Sequence, residues 1–451
     1  MVKKIAFLTL GCKLNYAETS TYERGFAKNG LEVVPWEEKA DVYLINTCSV
    51  TERAEKKCRN IIRKMHRISP EAKLIVTGCY AELHKEALRK IEGVSLVFGA
   101  KEKTEVVPKT MELLKNPFHS FHEAEKAEAP SQPATPSDSD KASVAERLKA
   151  IDMASFLEAY STGERTRSFL KVQDGCNNFC AYCTVPYARG NSRNIPISDA
   201  VAQARQIAAS GIKEIVITGV NTGDFGRTTG ETFLDLLKAL NDVEGIERYR
   251  ISSIEPNLIT EGIVDWIASG TKFQPHFHIP LQSGSDAVLK RVGRHYDTEF
   301  FAERIEYIRK KMNPAPSDKE KPFVFFGIDV IAGLPGETED LFEETYSFLK
   351  DRIRPAFIHV FPYSRRLGTV AYSWKDQVQD SVKTDRVARL EALCASLHEE
   401  FIARNKGRRS QVLWESDVKD GLMGGYTGNY IRLQRPFDSS KVNTVEDVII
   451  Q

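Results

Sequence analysis

Ten short apolar runs, set between helix-forming stretches, limit this chain to a few architectures. Four come early: KIAFLTL (4–10), DVYLINT (41–47), KLIVTG (73–78) and VSLVFG (94–99), separated by helical segments such as TERAEKKCRNIIRKMHRI (51–68). Six more follow: FLKVQ (169–173), EIVITG (214–219), RYRISSI (248–254), HFHIPLQ (276–282), FVFFGIDVIAG (323–333) and FIHVFPY (357–363), with helical stretches at 197–210 and 231–243. Strands that alternate with helices are joined by crossovers and lie parallel. The expected fold class is α/β, with an N-terminal doubly wound parallel sheet and a central partial (β/α)6 barrel whose chemistry sits at the C-terminal strand ends. Beyond about 405, SQVLWES, GLMGGYTGNYIRLQ and NTVEDVII read as β segments of a small C-terminal β-barrel.

A chain of 451 residues is too long for one core. The expected division is 1–115, a linker at 116–160, 161–403 and 404–451. The linker is marked by HEAEKAEAPSQPATPSDSDKAS (122–143), rich in Pro, Ser, Ala and charge and without apolar periodicity. The formal net charge is +1, so composition by itself predicts no nucleic-acid partner and any basic surface must be local. No apolar stretch approaches the roughly 20 residues of a membrane span, and the first residues lack the longer apolar core of a signal peptide. The expected location is cytoplasmic, without membrane association. In that reducing compartment the eight cysteines read as metal ligands or free thiols.

DGCNNFCAYCTVPYARG (174–190) places Cys176, Cys180 and Cys183 on a loop after the first strand of the second α/β region. Structural zinc sites are closed by four ligands, and a 4Fe-4S cluster is usually held by four thiolates. Three on one loop would leave one iron open to a small molecule. Cys12, Cys48 and Cys79 each stand just past a predicted parallel strand, at the sheet edge where ligands collect, so they could converge. The competing reading is three unrelated buried thiols. Cys58 and Cys394 have no such placement and read as ordinary thiols.

The loop at 176–183 resembles the signature of the radical S-adenosylmethionine (SAM) enzymes. TLGCKLN, INTCSVT and VTGCYAE resemble the three N-terminal signatures of the methylthiotransferases within that superfamily, and the likeness spans nearly the whole chain apart from the linker. It implies two 4Fe-4S clusters, one on Cys12, Cys48 and Cys79 and one on Cys176, Cys180 and Cys183, the second binding SAM. It also implies that Tyr182 lies against the adenine, and that GIDVIAGLPGET (327–338), with Ala332 where Val is more usual, contacts SAM. Asn221, Glu255, Gln282 and Asp329, at or near strand ends, could contact SAM or substrate or be purely structural. Arg189 and Arg193 could meet SAM's carboxylate or RNA. The implied reaction uses a 5′-deoxyadenosyl radical to remove hydrogen from C2 of an adenine, where a methylthio group is then placed. An aromatic C–H has no acidic proton to lose, so no catalytic acid or base is expected beyond the cluster ligands.

Three substrate groups occur in this family: tRNA with threonylcarbamoyladenosine at position 37, tRNA with isopentenyladenosine there, and a ribosomal-protein aspartate. TLGCKLNYAET carries Lys13 and Glu18 where the isopentenyl group shows Gln and Asp, and ISSIEPNLIT carries Glu255-Pro256 where it shows His-Pro. HFHIPLQSGSDAVLKRVGRHY and VITGVNTGDFG also look closest to the threonylcarbamoyl group. The partners implied are tRNA and an electron donor such as flavodoxin or ferredoxin; the sulfur source stays open. Arg53, Lys56, Lys57 and Arg63, with Arg408 and Arg409 of RNKGRR, suit phosphate neutralisation or are simply solvated. The end of the chain resembles the TRAM domain, whose Tyr426 and Tyr430 could stack on unpaired bases or belong to its core. Two other classes stay open: a zinc-stabilised RNA-binding protein without catalysis, and a radical enzyme acting on protein.

Overall fold

A computed structural model describes residues 2–115, 156–163 and 166–451; most of the expected linker lies outside them. Its last two residues form a short strand instead. The N-terminal strands β1 (Lys4–Thr9), β2 (Glu32–Val34), β3 (Val42–Thr47), β4 (Lys73–Gly78) and β5 (Val94–Phe98) make one parallel sheet in the order β2-β1-β3-β4-β5. Alternate residues face opposite sides, as a pleated strand requires. Tyr43, Ile45, Leu74 and Val76 pack with Ile62 and Met65 of the helix Glu52–Ile68 on one face. Val42, Leu44 and Ile75 pack with Tyr22 and Phe26 of the helix Lys13–Lys28 on the other. The chain reverses its winding between β1 and β3, and the carboxyl ends of those strands open a crevice.

The central part holds β6 (Ala159–Tyr160), β7 (Arg167–Lys171), a small ribbon of β8 (Gln173–Asp174) with β9 (Arg193–Asn194), then β10 (Glu214–Thr218), β11 (Arg248–Ile251), β12 (His276–Gln282), β13 (Phe325–Ala332) and β14 (Phe357–Pro362). One sheet runs β11-β10-β7-β6, with β6 antiparallel; the other runs β12-β13-β14, all parallel. Parallel bridges Tyr249–Phe273 and Ser253–His278 link the two. Ile215, Ile217, Ile279, Ile328 and Phe342 belong to the largest apolar cluster, which backs these strands against their helices.

After the helix Asp380–Asn405, the strands β15 (Arg409–Lys419), β16 (Leu422–Thr427), β17 (Arg432–Pro436) and β18 (Val445–Ile449) form an antiparallel sheet in the order β17-β16-β15-β18. It is tied to the central strands by β11: Arg250 donates to the carbonyls of Thr427 (2.7 Å) and Gly428 (2.8 Å) while holding Glu214 at 2.9 Å. None of the described helices is long and apolar enough to cross a membrane.

The N-terminal and central parts meet through a buried charge cluster. Glu18 Oε1 accepts from Lys103 Nζ (2.8 Å), Lys171 Nζ (2.9 Å) and Arg189 Nη1 (3.2 Å). Asp174 lies 2.7 Å from Lys171, 2.9 Å from Arg189 and 3.5 Å from both Lys103 and Arg193. No side chain of the six is more than 3% exposed. Burial by itself would raise the two carboxyl pKa values, but the surrounding cations, led by Lys103, hold both below the ordinary carboxylate range. Such groups add stability above the unfolded carboxylate pKa and lose it as pH falls through the depressed folded values. Glu18→Gln removes a shared counter-ion from three buried cations and is expected to cost about 3–5 kcal/mol at pH 7. Denaturant unfolding from pH 7 down to acid should also show a shallower loss of stability in the variant than in the parent.

Candidate active site

Three turns at the carboxyl edge of the N-terminal sheet bring Cys12, Cys48 and Cys79 together. β3 and β4 end side by side, with Thr47 opposite Gly78, so Cys48 and Cys79 leave adjacent strands at one level. The turn at Gly78 takes φ 101°, and a Cβ there would stand 2.4 Å from the Thr47 carbonyl oxygen. Only glycine allows that approach. Across the switch point, the Cβ of Cys48 lies 3.2 Å from where a Cβ on Gly11 would be. Burial first, then the neighbouring Cys79, pushes the Cys48 thiol up to about 12, and Cys79 is raised by burial with Cys12 adding to it. Asn15 ties the trio to the charge cluster: its Oδ1 accepts from Arg189 (2.6 Å) and from Cys12 Sγ (3.4 Å), and its Nδ2 donates to the Thr47 carbonyl (3.0 Å).

The second loop is anchored at both ends. Cys176 N–H donates to Gly190 O (3.0 Å) and Ala181 N–H to Val292 O (2.9 Å). Gln173 Nε2 braces it through Gly175 O (2.7 Å) and Ser192 Oγ (2.9 Å). A Cβ on Gly175, at φ 76°, would meet Asn191 O at 2.1 Å. Backbone N–H groups of Asn178 and Val185 point at Cys176 Sγ (3.5 Å) and Cys183 Sγ (3.4 Å). Burial raises Cys176 to about 11, and burial with Cys180 raises Cys183 to about 12. Arg294 Nη1 reaches Cys180 Sγ at 3.2 Å while pairing with Glu255 and with Tyr296 Oη.

The two loops face one another. Thr184 Oγ1 donates to Ser49 O (3.4 Å), joining the residue after Cys183 to the residue after Cys48. Arg366, beyond β14, clamps the same turn through Ser49 Oγ (3.1 Å) and Glu55. Among the described residues, the group of three metal-binding side chains with all ligand atoms within 4.8 Å of one another is His278, Asp329 and His359. Neither cysteine trio is that tight, whereas one tetrahedral zinc at about 2.3 Å from each sulfur would need sulfurs about 3.8 Å apart. Wider trios of thiols suit a multi-iron cluster. Beside the first trio the charge cluster sets four cations against two carboxylates, a surplus that anionic thiolates would offset.

Residues 4–99 match the family described as Uncharacterized protein family UPF0004, and residues 170–349 match the Radical SAM superfamily. The threonylcarbamoyladenosine tRNA methylthiotransferase MtaB of Bacillus subtilis is 38% identical, over 95% of this chain and 89% of that protein. Its namesake in Aquifex aeolicus is 36% identical, over 96% of each. The chain belongs to the radical SAM methylthiotransferase family. A tRNA-2-methylthio-N(6)-dimethylallyladenosine synthase of Wolinella succinogenes is 32% identical over 96% of this chain and 94% of that protein. The radical SAM methyltransferase TsrM of Kitasatospora setae, solved with cobalamin and a [4Fe-4S] cluster, shares the fold at 13% identity, with a TM-score of 0.55 over 82% of this chain and 77% of that one.

Several sequence expectations need correction. Arg408 is 1% exposed, donates to the carbonyls of Pro316, Asp318 and Lys321 and stacks on Phe323, so it cannot meet RNA. Arg189 and Arg193 are consumed by Asp174, Glu18 and backbone carbonyls, which leaves neither for SAM or RNA. Tyr426 and Tyr430 need no correction: both half-buried, they stack on each other at 4.8 Å beside Arg167 and line a pocket between the sheets. Arg409 is exposed, 3.2 Å from Glu320. Arg53, Lys56, Lys57 and Arg63 stand on the exposed face of their helix.

Beside the second trio, Tyr182 packs against the apolar cluster of Ala181, Val288 and Leu334, and its hydroxyl pKa is raised by burial. Asn221 Oδ1 accepts from Glu255 N–H (3.3 Å), and Asp329 Oδ1 meets His278 Nε2 (2.7 Å). Gln282 ends β12 at φ 73°. In the Gly-rich turn, Glu337 accepts from Gly333 N–H (2.6 Å) and from Arg386 of the long helix (2.9 Å). Cys58 and Cys394 are buried and bonded to backbone, Cys58 to the Cys48 carbonyl and Cys394 to Ile358 N–H. Gln173 and Arg366 carried no motif in the sequence, and their places just past strands were the available signal; Arg294 lies in the family-like stretch 276–296, between two helices.

After anaerobic reconstitution the chain is expected to hold about eight iron and eight sulfide, as two four-iron clusters. Cys48→Ala or Cys180→Ala should each lower both by about half, read by metal and sulfide analysis. Gly78→Ala should lower iron at the first trio, because the added methyl drives β4 away from β3.

Proposed function

We propose that this chain is a tRNA methylthiotransferase that converts threonylcarbamoyladenosine at position 37 to its 2-methylthio form. The observation carrying this reading is that two cysteine trios, on separate sheets, open toward each other across the Thr184–Ser49 contact. A reaction needing both a radical source and a sulfur donor requires two such sites within reach of one substrate atom. In this reading Cys12, Cys48 and Cys79 hold one 4Fe-4S cluster, and Cys176, Cys180 and Cys183 hold the other with SAM. When bound, these groups supply the radical and the methylated sulfur; the protein orients the base and excludes water. Tyr182 and the Glu255–Arg294 pair would then border SAM, with Asn221, Gln282 and Asp329 lining the space toward the substrate.

The six parallel strands support a partial (β/α)6 barrel over 161–403. The N-terminal sheet, wound on both faces over 1–115, and a TRAM-like sheet over 404–451 would flank it. The exposed Arg53, Lys56, Lys57, Arg63 and Arg409 are suited to tRNA phosphates, with salt-sensitive binding. A cytoplasmic enzyme of this kind would draw electrons from a donor such as flavodoxin or ferredoxin. The threonylcarbamoyl reading over the dimethylallyl one is supported by Lys13 and Glu18 and by the higher identity to relatives with the former name. In tRNA from cells lacking this gene, nucleoside mass spectrometry should find threonylcarbamoyladenosine accumulating without its methylthio group. Accumulation of isopentenyladenosine instead would overturn the substrate assignment.

A further inference from the structure

A pocket of about 620 Å³ opens where the N-terminal sheet, the central strands and the C-terminal sheet converge. Cys12 and Lys13 line it, with Arg167 and Arg250 from β7 and β11 and with His278 and His359. Four cationic side chains line it and, among the described residues, no carboxylate does. Three of its polar groups are already engaged. Arg167 holds Glu415 at 2.7 Å, Arg250 holds Glu214 at 2.9 Å, and His278 meets Asp329 at 2.7 Å. Among the described residues no hydrogen bond or ion pair reaches the cationic group of Lys13 or of Arg432; Arg432 is exposed, whereas Lys13 is half-buried next to Cys12 inside the pocket.

A lysine held in a concave site without a counter-ion is poised for an anion. We infer that Lys13 is the counter-ion for a carboxylate on the substituent of the target base, which makes it a specificity-determining residue. The inference rests on the functional reading above. The two candidate N6 substituents differ in this one respect: threonylcarbamoyl ends in a carboxylate, and dimethylallyl is uncharged. A carboxylate at Lys13 lies beside Cys12, so the base that carries it is held within reach of the first trio. The rings of Tyr426 and Tyr430 and the imidazoles of His278 and His359 complete the walls around it. An uncharged substituent would leave Lys13 desolvated and unpaired, a penalty that discriminates against it.

The test uses the cluster-loaded enzyme and anticodon stem-loop RNA carrying threonylcarbamoyladenosine, its methyl ester, or dimethylallyladenosine, with affinity read by fluorescence anisotropy. The parent is expected to bind the free acid about 10- to 100-fold more tightly than the ester, the range for one charge-assisted hydrogen bond. Lys13→Gln should abolish that preference, and Lys13→Arg should keep most of it. Iron content and circular dichroism of each variant report whether it folds. Equal affinity of the parent for acid and ester would overturn the inference, as would an undiminished preference in a folded, iron-loaded Lys13→Gln. Should the Gln variant fail to fold, loss of the preference in Lys13→Arg or equal acid and ester affinity in the parent still overturns the inference. Methylthiolation by the parent of the dimethylallyl RNA alone would sink the functional reading and this inference together. Methylthiolation of the threonylcarbamoyl RNA with no acid preference would sink the inference by itself.

Discussion

Two buried carboxylates, Glu18 and Asp174, hold four buried cations at the junction of the N-terminal and central parts. Everything about the site depends on that arrangement. Taking ions out of water costs several kcal/mol each, and only close, mutual pairing offsets it. Glu18 comes from the helix after Cys12, and Asp174 from the residues just before Cys176. Their shared partners, Lys103, Lys171 and Arg189, cannot be satisfied unless both backbones sit in one relative position. A purely apolar interface could slide; a charge lattice of this kind has one register.

That register brings the two cysteine turns face to face. Asn15 passes the constraint from Arg189 to Cys12 and to the Thr47 carbonyl beside Cys48. On the other side, Arg366 pins the turn after Cys48 to the end of the central strands. The surplus of positive charge has a chemical consequence as well. Thiolate-ligated iron is anionic, and cations packed behind the ligands favour it over protonated thiols.

Much of this was legible in the primary structure. Each N-terminal cysteine follows an apolar run that became a parallel strand, because short buried strands with crossover helices leave the chain little choice. The strand ends at 47 and 78 therefore put Cys48 and Cys79 at one edge without further information. Surface features read less well. Arg408 and the pair Arg189 and Arg193 looked like an RNA- or SAM-facing set because arginine is usually exposed, yet they are buried and bonded to carbonyls and carboxylates. The Glu18 and Asp174 that neutralise Arg189 lie 171 and 15 positions away, and no local pattern announces the first. For Tyr426 and Tyr430 the sequence left stacking on bases and a place in the core both open; in the fold they are half-buried beside a pocket, at the strand end that Arg250 holds through the carbonyls of Thr427 and Gly428.

The amino-acid sequence by itself determined the strand–helix alternation, the six cysteines at strand ends and loop, and the family they mark, because these rest on periodicity and spacing within a few dozen residues. The tertiary structure alone decided which charges are shared, which arginines are spent on structure, and that Lys13 faces a pocket without a partner. Those outcomes depend on pairing between segments up to 171 residues apart, where burial makes a charge expensive until a distant segment arrives to meet it.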